Sequence, residues 1–383
     1  MHILFVSGEY PPMTGGVGAY TYQLAHALCD IGVECSVLTS AASARAEGEV
    51  VPVYPLVKRW GWGAAGQAGL LARRLSADWI HVQYQTAAFA MHPAINFAPS
   101  TWRRQRRVAW TYHDLLPPYL FPKAGAHLRR WVTLRPASAS NLVIATNEAD
   151  RAQLTATAAH LHAIPIGSNV RGVTLAPAER LRLRAANGYA DDALVLGYFG
   201  FLNRSKGGLT LVHTLQELVR NGVDAHLRMI GERVGASDPS NAAYLAEVEA
   251  MIRTLGLSDR VRWSGHLPDE AASAELNALD VLLLPYADGA SLRRGTLMAG
   301  LANGCAIVTT APHAPLPELR DGRDLLYVPA QNAPAAAKAI LRIARDRALA
   351  DSLRSHARKA AHQFDWQEIA RRHLDLYTQV GDQ

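Results

Sequence analysis

Short, almost wholly apolar runs recur along the chain, and each is closed by a glycine, a proline or a polar residue. Residues 2–7 (HILFVS) are the first, ending at Gly8 and the Pro11–Pro12 pair. A run of that length suits a strand buried on both faces. Residues 17–31 then place apolar side chains at helical spacing and stop at Gly32, and 34–39 reads as a second strand. Strand, glycine loop, helix and strand in that order make a βαβ unit, which implies a parallel sheet. Further runs at 79–82, 108–112 and 142–146 extend the pattern into one doubly wound domain, residues 1–168.

Residues 164–177 break the rhythm with Pro165, Gly167, Gly172 and Pro177 and read as a linker. The pattern then restarts. Strands are expected at 194–199, 226–230, 261–264, 281–284, 306–309 and 325–328. Helices are expected between them at 208–221, 242–255, 270–279, 296–303 and 333–345. These make a second parallel α/β domain, residues 169–363. Residues 366–377 have an amphipathic pattern, and the stretch 364–383 is expected to pack back on the first domain. The fold class is therefore α/β, with two facing Rossmann-like doubly wound domains. Open parallel sheets bind ligands at the carboxyl ends of their strands, so a ligand is expected in the cleft between them.

Composition adds bounds. With 49% hydrophobic residues, the chain has enough apolar material for two cores. No stretch of about 18 uninterrupted apolar residues occurs, and MHILFVSGEYPP lacks the basic start of a secretory signal. A cytoplasmic protein is expected, with room for a peripheral membrane contact. The net charge of +6 suits an anionic ligand or surface. Cys29, Cys35 and Cys305 are odd in number and form no CxxC, which points to packing rather than a disulfide framework or a zinc site.

Four strand-end motifs bear candidate chemistry. Gly15 and Gly16 precede a helix, where close backbone approach and free N–H groups suit a phosphate. Residues 200–208 (GFLNRSKGG) put Arg204 and Lys206 at a strand end before a helix, a pair able to neutralise a diphosphate. Residues 288–296 (DGASLRRGT) put Arg293 and Arg294 before a helix start at Gly295 and Thr296, again suited to pyrophosphate. His113 and Asp114 end a strand, where a histidine can exchange a proton with a hydroxyl. The bland alternatives are a tight turn, two solvated basic loops and a structural histidine; three such loops in one chain weigh against them jointly.

Together, GEYPPMTGGVGAYTYQLAHAL, GYFGFLNRSKGG, VRWSGHLPDEAASAELNALDVLLLP and ANGCAIVTTAPHAPLPELRDGRDLLYVPAQN resemble, in this order, the retaining glycosyltransferases of the GT-B fold, in the large group that includes family 4. The resemblance spans nearly the whole chain. It implies that Lys206 contacts the donor diphosphate and that Gly15 and Gly16 lie near the donor phosphate and the acceptor. It puts His113 near the transferred sugar, and Gly265 and His266 by the nucleotide base. It implies a nucleotide-diphosphate sugar (UDP, GDP or ADP) as co-substrate, with no other cofactor. No metal is expected, since no DxD-like loop accompanies the motifs. Retention rests on the resemblance alone.

The chain departs from that family at two places. Phe201 stands where the family has an arginine, leaving Arg204, Arg293 or Arg294 to supply the charge. Ser291 and Ala299 align with the family's two glutamates, so the usual ribose carboxylate is missing, and Asp288 replaces it only if the loop shifts. Residues 81–85 end a strand, and Tyr84 is taken to line the acceptor side. Arginines at 103, 104, 106, 107, 129 and 130, interleaved with Trp102, Trp110 and Trp131, suit a solvated face, an anionic lipid surface or a nucleic acid, though no nucleic-acid motif supports the last. The leading expectation is a sugar transferase acting on a glycan, glycolipid or polysaccharide precursor. The alternatives are a sugar-nucleotide epimerase or hydrolase, and a non-catalytic diphosphate-binding scaffold.

Overall fold

A computed structural model of the 383-residue chain describes all residues except 14, 44–49, 118–124, 169, 234–238 and 382–383. Residue 169 of the expected linker thus lies outside the described residues. The chain divides into two compact units: unit one is Met1–Gly167 with Asp365–Gln383, and unit two is Ser168–Phe364.

Unit one runs β1 (His2–Ser7), α1 (Gly16–Asp30), β2 (Glu34–Ser40), β3 (Val53–Val57), α2 (Trp62–Arg74), β4 (Trp79–Tyr84), α3 (Ala94–Phe97), α4 (Pro99–Trp102), β5 (Arg107–Tyr112), α5 (Ala126–Ala139), β6 (Leu142–Ala145), α6 (Glu148–Leu154) and β7 (Leu161–Ala163). Among the described residues the strands form one parallel sheet in the order β3-β2-β1-β4-β5-β6-β7. Helices cover both faces, so the two-residue period of a strand sorts its side chains between two cores. Ile3 and Phe5 enter one core with Leu24, Leu28 and Trp79; Leu4 and Val6 enter the other with Ile80, Val82, Tyr84, Trp110 and Tyr112. Burial on both faces is why these strands read as unbroken apolar runs.

Unit two runs α7 (Pro177–Ala186), β8 (Leu194–Phe199), α8 (Gly208–Arg220), β9 (Ala225–Ile230), α9 (Pro239–Thr254), β10 (Val261–Trp263), α10 (Asp269–Ala278), β11 (Val281–Leu284), α11 (Gly295–Ala302), β12 (Ile307–Thr310), β13 (Leu326–Val328), α12 (Ala333–Arg345) and α13 (Arg347–Ala361). Its parallel sheet has the order β10-β9-β8-β11-β12-β13. The order reverses at β8, so the loops after β8 and β11 stand side by side at the switch point where such sheets bind ligands.

The last helix, α14 (Trp366–Gly381), belongs to unit one. Ile369, Ala370, His373, Leu376 and Tyr377 are its buried stripe, and they join the core of Ile3, Phe5, Leu24 and Trp79. No helix among the described residues is long and apolar enough to cross a membrane.

Candidate functional site

In unit two, the loop after β8 and the loop between β11 and α11 bring two of the expected cations together. Asn203 opens a single 3-10 turn by accepting the Lys206 N–H at 3.1 Å, and Gly207 then leaves it with φ +71°. A Cβ at Gly207 would stand 1.8 Å from the Pro285 carbonyl oxygen, so only glycine lets this loop lie against the end of β11. Ala287 N–H donates to the Ser205 carbonyl at 2.8 Å and ties the loops together. The Lys206 ammonium then stands 3.9 Å from the centre of the Phe201 ring, and Arg294 lies 4.7 Å from the Tyr286 ring and donates to Ser205 Oγ at 3.3 Å. Tyr286 Oη and Thr296 Oγ1 share a hydrogen bond of 2.6 Å. Burial and the Arg294 guanidinium together lower Lys206 from 10.5 to about 8. A cation held at that disadvantage gains from a bound anion.

Not every expected cation joins them. Arg204 pairs with Glu247 at 2.9 Å and lies over the Tyr244 ring, because α9 offers both a carboxylate and an aromatic face beside the loop. It is therefore corrected from a partner of Lys206 to a surface ion pair. Arg293 is exposed. Asp288 is engaged by Arg294, and Ser291 is half-buried in the same loop. Ala299 is buried within α11 at 1% exposure and offers no carboxylate. Gly295 and Thr296 open α11 as expected from the sequence.

Gly265 has φ +69° and bridges Gly231, while His266 pairs with Glu232 at 3.3 Å; these residues join the ends of β9 and β10 into one exposed rim. Among the described residues no cluster of three His, Cys, Asp or Glu side chains could hold a metal ion. All three cysteines are free.

In unit one the glycine loop is already met by an anion of its own. Glu9 Oε1 accepts from Val17 N–H at 3.0 Å and Gly18 N–H at 3.1 Å, at the first turn of α1. A Cβ on Gly15 would meet that carboxylate at 2.0 Å. Of the amides at this helix start, those of Val17 and Gly18 are thus capped by Glu9, which carries no glycine-loop signal of its own. Gly16 opens α1, and a Cβ added there would meet nothing within 4 Å.

His113 is half-buried, with its ring edge-on to Tyr20 at 4.6 Å and its Nε2 2.9 Å from Gln83 Oε1. Burial, helped by nearby His373, pushes it down to about 3. Burial thus favours the neutral imidazole, whose ring nitrogens can still donate or accept a hydrogen bond. Asp114 Oδ1 accepts from Leu116 N–H at 3.1 Å. Tyr84 is not on a ligand-facing surface. It is 1% exposed, packed between Phe89, Trp110 and Tyr112, and accepts from Thr86 Oγ1 at 3.0 Å and Asn96 Nδ2 at 3.1 Å. The strand's alternation puts Gln83, not Tyr84, on the face of His113.

Trp102 and Trp110 are buried, so they do not interleave with the surface arginines. Trp131 is 50% exposed, and Trp62 is 64% exposed. Phe97 stands between them, 5.5 Å from Trp62 and 6.0 Å from Trp131, and the Arg135 guanidinium lies over both Phe97 and Trp131.

Two family descriptions match the chain: Glycosyltransferase Family 4 over residues 14–170 and Glycosyl transferases group 1 over residues 193–346. The chain is 29% identical over 159 residues to a 2-deoxystreptamine glucosyltransferase of Streptomyces kanamyceticus, covering 41% of this chain and 39% of that protein. It is 23% identical over 381 residues to a phosphatidyl-myo-inositol mannosyltransferase of Mycolicibacterium smegmatis, covering 96% and 91%. The first of these relatives is thus spanned over well under half its length. Among solved structures, HepE of Anabaena, determined with UDP and glucose, superposes with a TM-score of 0.76 at 19% identity over 99% of this chain and 100% of that one.

Proposed function

The chain belongs to the glycosyltransferases of the GT-B fold, in the family 4-like group 1 branch, and from that premise we propose that it transfers a sugar from a nucleotide-diphosphate sugar to a glycan, glycolipid or polysaccharide precursor with retention of configuration. The observation that carries this reading is the Lys206–Arg294 pair at the switch point of unit two. In the proposed step the bond from the anomeric carbon to the diphosphate oxygen breaks and its electron pair leaves on the diphosphate. The acceptor oxygen bonds to that carbon from the same face, and its proton passes to the departing oxygen. Negative charge grows on the diphosphate as the bond stretches, so cations fixed beforehand lower the barrier. Positioning of the two reactants supplies the rest. The neutral His113 contributes a hydrogen bond to a sugar hydroxyl. A second reading, a diphosphate-binding scaffold without turnover, draws on the buried Ala299, which leaves α11 without a ribose carboxylate.

Calorimetric titration with UDP, GDP and ADP tests the donor reading. One of them is expected to bind in the roughly micromolar range. The affinity is expected to be about tenfold weaker at pH 9 than at pH 7, because free Lys206 loses its proton as pH rises through about 8. The fold shows the opposite trend. Lys206 is depressed from 10.5 in the folded chain, so the unfolded chain binds more protons between about pH 8 and 10.5, and stability rises across that window. Binding by none of the three nucleotides removes the donor reading. Binding without sugar transfer selects the scaffold, and an inverted product removes retention.

A peripheral contact with anionic lipid is the second part of the proposal. Trp62, Trp131, Leu70 and Leu128 are each at least 44% exposed, and Arg73, Arg74, Arg103, Arg104 and Arg130 are exposed too. Tryptophan with arginine suits the headgroup layer, where the ring is half in hydrocarbon and the cation meets lipid phosphate. The double change Trp62→Ala, Trp131→Ala is expected to weaken co-sedimentation with phosphatidylglycerol vesicles by about tenfold or more, from the apolar area withdrawn. Undiminished sedimentation would exclude this face as the contact.

A further inference from the structure

Behind His113 lies a chain of polar side chains that the proposed step does not use. Period two along β4 puts His81 and Gln83 on one face, and along β5 it puts Thr111 on that same face; α14 covers it. His81, Gln83, Thr111 and Tyr377 are all 0% exposed. Four polar groups sealed from water must satisfy one another. His81 Nδ1 lies 2.5 Å from Tyr377 Oη, and its Nε2 lies 2.8 Å from Thr111 Oγ1 and 3.2 Å from Gln83 Nε2. Gln83 Oε1 lies 2.9 Å from His113 Nε2.

The amide of Gln83 is the asymmetric link. Its nitrogen has hydrogens and no lone pair to offer, so His81 Nε2 must be bare and accept, and His81 Nδ1 must hold the proton it donates to Tyr377. Its oxygen can only accept, so His113 Nε2 must hold a proton, and His113 Nδ1 is left bare. One amide between two imidazoles thus forces them into opposite tautomers. The Thr111 and Tyr377 hydroxyls complete the hydrogen bonds of the far imidazole.

We propose that Gln83 is a positioning residue: anchored through His81 to Tyr377 of α14, it fixes His113 as the Nε2–H tautomer and reserves its bare Nδ1 to accept a hydrogen bond from a sugar hydroxyl. This rests on the reading that His113 meets the transferred sugar.

Nitrogen NMR of the full chain labelled at histidine tests the tautomer without any turnover, with the His113 signals assigned by their loss in His113→Gln. The wild type is expected to show a protonated Nε2 and a bare Nδ1. Gln83→Leu is expected to populate both tautomers and to lower kcat roughly tenfold, with the donor KM changed by less than about twofold. Gln83→Glu restores an acceptor toward His113, so it is expected to recover the single tautomer and most of kcat, while His81 moves its proton to Nε2. A wild-type His113 with its proton on Nδ1 overturns the proposal. So does a Gln83→Leu variant that keeps one tautomer yet loses kcat, since the loss would then come from packing. Full turnover by His113→Gln would instead remove the role of His113 in the transfer, and it is read independently of the nitrogen shifts.

Discussion

Lys206→Ala is expected to weaken nucleotide-diphosphate binding by about 100-fold and to lower turnover by roughly 1,000-fold, with the folding midpoint almost unchanged. The first figure follows from losing a charge-assisted contact in a site with little competing water. The second adds the charge that develops on the leaving diphosphate, where one removed donor typically costs 100- to 1,000-fold. The fold is spared because the ammonium is held at a disadvantage there, beside Arg294 and partly desolvated. What is lost in stability is its position over the Phe201 ring, worth about 1 kcal/mol. Lys206→Arg is not expected to rescue, since a planar guanidinium is a different shape from an ammonium seated between Phe201 and Gly200. Calorimetric titration, turnover and thermal unfolding of the same preparation decide the matter. Unchanged nucleotide affinity in Lys206→Ala would mean that the diphosphate is held elsewhere.

The second large effect is on stability. Tyr377→Ala is expected to destabilise unit one by about 4 kcal/mol. Removing a fully buried aromatic ring costs about 3–5 kcal/mol, and the His81 Nδ1–H left without its acceptor adds to that. Tyr377→Phe leaves the ring against Trp79 and is expected to cost only about 1–2 kcal/mol, the share of the hydrogen bond. Because the two units have separate cores, scanning calorimetry is expected to show one transition falling by roughly 10 °C while the other stays in place. Equal movement of both transitions would show that the units unfold as one.

Much of this was legible in the sequence, and the rest was lost for identifiable reasons. Strands β1, β8 and β11 announce themselves as apolar runs because both faces are covered. The edge strands β3 and β7 do not: one contains Pro55 and the other is three residues long. Helix α2 is diluted by Gly63, Gly66 and Gly69, α5 contains Pro136, and α13 is dense with arginine, so none stood out as a helix. Lys206, Arg294 and Thr296 could be found because a strand end before a helix start is a local signal. The partner of Arg204 could not, since Glu247 lies 43 residues away on another helix. Tyr84 was a misreading of an available signal: the alternation in HVQY already puts Gln83 and Tyr84 on opposite faces. The link from His81 to Tyr377 joins residues 296 positions apart, and no local pattern reaches that far.

That separation has a consequence for how the protein is made. Unit two is a single uninterrupted stretch, whereas unit one needs residues on both sides of it. On a ribosome adding about 5–20 residues per second, the sheet of unit one waits on the order of ten seconds or more, while all of unit two is synthesised, before α14 emerges. Through that interval Ile3, Phe5 and Trp79 lack the part of their cover that α14 supplies, and His81 lacks Tyr377 as a partner. Unit two can finish folding first, and the nascent unit one is the part that a chaperone would have to shield.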